Sequence, residues 1–147
     1  MHNALVEREV PHELVPIAGR IRRPDRIAAV FGLSPAQVGR VVLLEGPDGA
    51  IAALVAADRE PDPDLLARVS GGAAPTPVTP ARATDLSGFL HEAIPPAGLP
   101  RSVRVVMDGR LADQEVLYFP GGEASSVLKI RSADLARAVD AVVAPIT

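Results

Sequence analysis

Apolar and polar positions change period several times along the chain, and the changes mark out its elements. In VVLLEGPDGAIAALVAA two apolar runs flank Gly46-Pro47-Asp48-Gly49, whose chemistry favours a tight turn, so the stretch predicts a β-hairpin. SVRVVMD, EVLYF and SVLKI predict three further strands, the first two separated by residues 109–114 and the last two by PGGEAS. Helical spacing appears before the hairpin. A short helix from Pro24 should carry Ile27, Ala28 and Val30 inward and stop at Gly32, and Ser34 should cap a second one with Pro35 in its first turn. After the hairpin, Asp62 or Pro63 opens a helix through Leu65, Leu66 and Val69, and Thr79 or Thr84 caps another ending near Gly88. Ser132 is expected to cap a final helix, ADLARAVDAVV, with Leu135, Val139 and Val142 on one face. FLHEAIPPAGLP reads as a rigid loop, because Pro95 and Pro96 withhold two donors and fix two φ angles. Residues 1–22 show no clear period and read as an N-terminal arm.

Strands and helices do not alternate strictly, so the pattern predicts a mixed-sheet α+β domain flanked by short helices. A chain of 147 residues suits one domain, residues 1–147, with a real core. That core must be aliphatic, since there is no Trp, one Tyr and three Phe. Absence of cysteine excludes disulfides, thiolate metal sites and a cysteine nucleophile, and fits a cytoplasmic location. MHNALVEREV lacks the apolar run of a signal peptide, and no stretch reaches the length of a membrane span. Fifteen basic residues against eighteen acidic ones give a net charge of −3, which argues against a broad face for duplex DNA.

Several motifs compete for a functional reading. In RIAAVFGLSPAQVGRVV, Ala28, Gly32 and Val38 fit a helix-turn-helix, but only Gln37 and Arg40 could reach bases, and the chain runs directly into β-branched residues. His2, His12 and His91 lack a spaced partner ligand, so no metal is expected. A Ser-His-Asp set drawn from Ser125 or Ser126, His91 and Asp108 has no G-x-S-x-G elbow to support it. The cluster Arg20, Arg22, Arg23, Arg26 is either a solvated connector or a patch for phosphates.

Four stretches in order resemble the YbaK family, the domain of free-standing aminoacyl-tRNA deacylases that also occurs as the editing insertion of bacterial prolyl-tRNA synthetases. AAVFGLSPAQVGRVVLLEGPDG is similar to that family's helix, turn, second helix and first strand. LSGFLHEAIPPAGLP resembles its glycine- and proline-containing loop, VRVVMD its strand ending in aspartate, and LYFPGGEASSVLKIRSADL its glycine turn, strand and helix start. The resemblance covers residues 23–139 and implies a barrel-like mixed sheet.

It further implies hydrolysis, in trans, of the ester joining an amino acid to a mischarged tRNA, without a cofactor. Such an ester is already reactive, so positioning a water, holding the carbonyl and excluding the wrong amino acid suffice. On this resemblance Arg40, in place of the family's lysine, is the catalytic anchor at the mouth of a pocket walled by Pro96, Gly98 and Gly122. Arg20, Arg22 and Arg23 would touch tRNA. Glu92 stands where the family has a glycine, Ala97 replaces an aromatic residue, and Pro120 and Val127 replace polar ones. These departures leave an alternative open: a non-catalytic relative binding tRNA, a small ligand or a partner protein. A helix-turn-helix regulator is the remaining alternative. Aminoacyl-tRNA is the expected partner, with no duplex DNA and no membrane, and a homodimer is allowed.

Overall fold

The computed structural model describes residues 1–7, 9–16, 24–122 and 126–147. In chain order it contains α1 (His2–Glu7), β1 (Glu13–Pro16), α2 (Pro24–Phe31), a 3-10 turn (Pro35–Gln37), β2 (Gly39–Gly46), β3 (Gly49–Ala56), α3 (Pro63–Ser70), β4 (Thr76–Pro77) and α4 (Pro80–Ser87). There follow β5 (Arg104–Asp108), α5 (Gly109–Ala112), β6 (Val116–Pro120), β7 (Ser126–Arg131), α6 (Ser132–Ala138) and β8 (Val142–Ala144). Strands β4-β2-β3-β5-β8 form one sheet and β1-β7-β6 the other. β2 and β3 pair along their whole length, from Gly39 opposite Ala56 to Gly46 opposite Gly49. β5 runs parallel to β3, and β8 parallel to β5, so the larger sheet is mixed. A parallel bridge from Val38 to Tyr118 joins the start of β2 to β6. The fold is thus the expected α+β class, with its barrel-like sheet realised as two sheets across one core and not closed.

Side chains alternate across a strand, which gives the larger sheet two buried faces. Val41, Leu43, Ala52, Leu54, Val105 and Met107 pack against Leu117, Phe119, Leu128 and Ile130 of the smaller sheet. Gly39 belongs to this inner face; any side chain there would overlap the Phe119 ring, so glycine lets the two sheets close. On the outer face Leu44, Ile51, Ala53, Val55 and Val106 pack with Leu66 of α3 and with Ile146. A third cluster holds Ile27, Val38 and Val127.

Several expectations are corrected. The second helix of the turn motif is only a 3-10 turn, closed by a capping box in which Ser34 Oγ accepts from Ala36 N–H and Gln37 Oε1 from Ser34 N–H. Val30 is exposed, because α2 buries Ile27 alone of its large residues. α6 ends at Ala138, and Val142 lies in β8, where β-branched residues complete the open edge of β5. Ser132 is no cap; its hydroxyl donates to the carbonyls of Ala112 and Gln114 and pins α6 to the end of α5. Within the N-terminal arm, α1 buries Leu5 and β1 pairs with β7.

Candidate functional site

α4 ends at Ser87, whose hydroxyl donates to the Ala83 carbonyl (2.7 Å) and accepts from Phe89 N–H (3.1 Å), turning the chain into the proline loop. Ile94, Pro95, Pro96 and Ala97 are then buried in succession, with Ile94 and Ala97 in the inner core. Fixed φ angles and burial together make this segment a rigid wall. Gly98 follows with φ +78°, and a Cβ there would lie 2.8 Å from Met1 Cα. On the opposing side, Gly121 N–H donates to the Ser126 carbonyl at 3.1 Å. Gly122 adopts φ +87°, and a Cβ there would lie 3.2 Å from the Phe89 ring, 3.4 Å from Pro95 and 3.8 Å from Met1 Cβ. The proline loop, the glycine turn and Met1 therefore converge, with apolar side chains and bare backbone facing one another.

Beside this point lies an open cleft of about 820 Å³, lined by Leu5, Pro96, Gly98 and Asp140, with the exposed Arg101 and Arg104 along it. One buried hydroxyl stands close by. Ser126 is 8 % exposed, shares the inward face of β7 with Leu128 and Ile130, and its Oγ lies 2.5 Å from where a Gly121 Cβ would stand. That hydroxyl has no hydrogen-bond partner among the described residues.

Of the residues singled out from sequence, Pro96, Gly98 and Gly122 meet here. Glu92 does not; it is exposed beside His91, Nε2 to Oε1 3.8 Å. Arg40 occupies the outer face of β2. Strand alternation sets it beside Val42 and Leu44, and the parallel bridge from Val38 to Tyr118 puts it level with Pro120, two residues before Gly122. Its Nε and Nη2 donate to the Arg59 carbonyl (3.3 and 2.8 Å), and Nη2 pairs with Glu60 at 2.6 Å. Arg40 is thus paired with Glu60 and not with Glu92, and it clasps the loop that follows β3.

Asp108 is buried and accepts from Ile146 N–H (3.1 Å) and Thr147 Oγ1–H (2.8 Å), so it anchors the outer face. With His91 at the surface and Ser126 facing inward, no Ser-His-Asp set assembles among the described residues, outside which Ser125 lies. Arg20, Arg22 and Arg23 also lie outside them. Val127 is buried in the third cluster, on the face of β7 opposite Ser126, and Pro120 is buried at the end of β6, so the Val127 departure points away from the site. Both side chains that a DNA reader would use are occupied, Gln37 in the capping box and Arg40 on Arg59 and Glu60. No group of three or more His, Asp or Glu among the described residues is arranged to hold a metal. Sequence reasoning missed Met1 and Phe89, and it weighed Ser126 only as a member of a Ser-His-Asp set, although a polar residue at an inward position of an apolar strand is a signal in itself.

Among solved structures the chain is similar to the hypothetical protein APE2540, with a TM-score of 0.93 and 20% identity over 99% of this chain and 97% of that one. It is likewise similar to a candidate trans-editing enzyme for prolyl-tRNA synthetase, with a TM-score of 0.86 and 22% identity over 99% and 93% of the two chains. At these identities the likeness speaks for the fold. No curated protein matches in sequence. The family model of the aminoacyl-tRNA editing domain matches residues 20–138, most of the chain. The protein belongs to the aminoacyl-tRNA editing domain family.

Proposed function

We propose that the protein hydrolyses the ester between an amino acid and the terminal ribose of a mischarged tRNA, acting in trans on tRNA charged elsewhere. The observation that carries this reading is the convergence of Pro95, Gly98 and Gly122 on one apolar site where backbone is bare. The cleft beside it, lined by Leu5, Pro96 and Gly98, has room for a small side chain next to bare backbone open to the ester. It needs no metal and no charged nucleophile, because the aminoacyl ester is activated already and the gain comes from orientation and from holding the developing oxyanion.

Pro96 and Gly98 form one wall in this reading and Gly122 the other. Glu92, at the surface, acts at most on the approach of tRNA. The cleft that carries Arg101 and Arg104 suits the phosphates next to the terminal ribose, which a guanidinium holds in a bidentate fork. Arg20, Arg22 and Arg23 would extend that contact along the tRNA. The Val127 departure does not weigh against catalysis, since its side chain faces another cluster.

The test is release of amino acid from a panel of tRNAs mischarged with alanine, cysteine, proline and serine, at catalytic protein concentration. Turnover on at least one member is expected, with slower release from tRNAs bearing larger side chains. Saturable tRNA binding with no turnover across the panel would overturn the reading in favour of a non-catalytic relative.

A further inference from the structure

We infer that the Ser126 hydroxyl is a substrate-binding group, hydrogen-bonded to the polar atoms of the aminoacyl moiety at the glycine turn; this rests on the deacylase reading above. Ser126 is more than nine-tenths buried, yet its Oγ has no partner among the described residues. A hydroxyl left in that state destabilises the fold relative to one that is hydrogen-bonded or replaced by an apolar group. Alanine would fill the same place without the penalty. The position is an inward one, at the start of the face that Leu128 and Ile130 continue, where the fold itself asks for no polar atom.

Its surroundings point to a ligand. Gly121, the cross-strand neighbour, has no side chain to cover the hydroxyl, and a Cβ there would collide with Oγ at 2.5 Å. The next residue, Gly122, packs against Phe89, Pro95 and Met1. Two consecutive glycines thus put no side chain of the turn between Ser126 Oγ, itself enclosed, and the apolar site. An aminoacyl ester brings an ammonium that donates and a carbonyl oxygen that accepts, and a serine hydroxyl can serve either. The side chains of Met1, Phe89 and Pro95 can serve neither. A site built to satisfy a substrate's polar group also discriminates strongly against ligands that lack it.

The experiment compares the full chain with Ser126→Ala in three measurements. These are deacylation of the best mischarged tRNA of the panel, binding of a non-hydrolysable adenosine carrying the same amino acid through a 3′-amide, and thermal unfolding. Loss of about one hydrogen bond should lower kcat/KM and weaken analogue binding by about tenfold, while the melting temperature stays level or rises. Repeating the binding with an analogue lacking the amino group shows which atom is held: if the difference between the two proteins vanishes there, the ammonium is the partner, and if it persists, the carbonyl is. A melting temperature lowered in parallel with activity would mean that Ser126 acts in the fold and would overturn the inference. Unchanged turnover and binding in Ser126→Ala, with an active unmodified protein, would overturn it alone. An unmodified protein that neither binds the analogue nor turns over any substrate would overturn the deacylase reading and the inference with it.

Discussion

Gly98 shows how one residue can serve the fold and the site together. Its φ of +78° lies where an L side chain is strained, and the space its side chain would take is held by the backbone of Met1. Alanine there should cost about 1–2 kcal/mol from the left-handed conformation alone. It should also push Met1 off the glycine turn, because a Cβ 2.8 Å from a backbone carbon cannot be absorbed by a side-chain rotation. The expected outcome for Gly98→Ala is a lower melting temperature together with an altered order of preference among the mischarged tRNAs. Loss of stability with an unchanged order would mean that Met1 forms no part of the amino-acid wall. Met1 was beyond reach of sequence reasoning for a physical reason: its position is set by contacts with residues 98 and 122, about a hundred positions away, and no local pattern records them.

Elements whose ends are set by local chemistry were legible; those set by distant pairing were not. Thr79 and Asp62 cap α4 and α3 through their side chains, and the hairpin turn at 46–49 follows from its residues. β1 and β8 exist because β7 and β5 offer them free edges, and a four- or three-residue strand carries too little pattern of its own. The same divide explains Arg40. Its place at the start of β2 was readable, but which face it takes depends on register, and a one-residue change of register reverses the face. Since its guanidinium clasps Arg59 and Glu60, and Glu60 is largely in solvent, Arg40→Ala should cost about 1 kcal/mol and leave deacylation nearly unchanged. A loss of turnover far beyond the loss of stability would return Arg40 to the substrate. α4 is tied to β2 by a second clasp, in which Arg82 Nε and Nη2 donate to the two carboxylate oxygens of Glu45 at 2.9 and 3.1 Å. The hydrogen bonds from Arg82, aided by its charge, hold the Glu45 carboxyl below its ordinary range. The clasp therefore contributes stability above the usual glutamate pKa and loses it as pH falls through the lowered value. Glu45→Gln should flatten that part of the acid limb in a pH series of melting temperatures.

At the scale of the molecule, the larger sheet separates the site from its support. The inner face carries the core on which the proline loop and the glycine turn rest, while the outer face is closed by α3 and the segment ending at Thr147. That segment is held at three points: Ile146 is fully buried, its N–H and the Thr147 hydroxyl donate to Asp108, and its carbonyl accepts from Asp62 N–H at 2.7 Å. A cavity on the outer face should thus lower global stability without reaching the chemistry. Ile146→Ala is expected to cost about 2–5 kcal/mol, read as a shifted denaturation midpoint, with kcat/KM and substrate order preserved at temperatures where the variant is folded. Gly122→Ala should do the reverse in proportion. Its Cβ would press on the Phe89 ring and Pro95, so turnover should fall more steeply than the strain of a left-handed alanine explains. If the Ile146 cavity instead changed the substrate order, the two faces would be coupled through the sheet, and the site would have to be treated as a property of both clusters. The packing argues against such coupling: on β3, Ala52 and Leu54 belong to one cluster while Ile51, Ala53 and Val55 belong to the other, with only backbone between them.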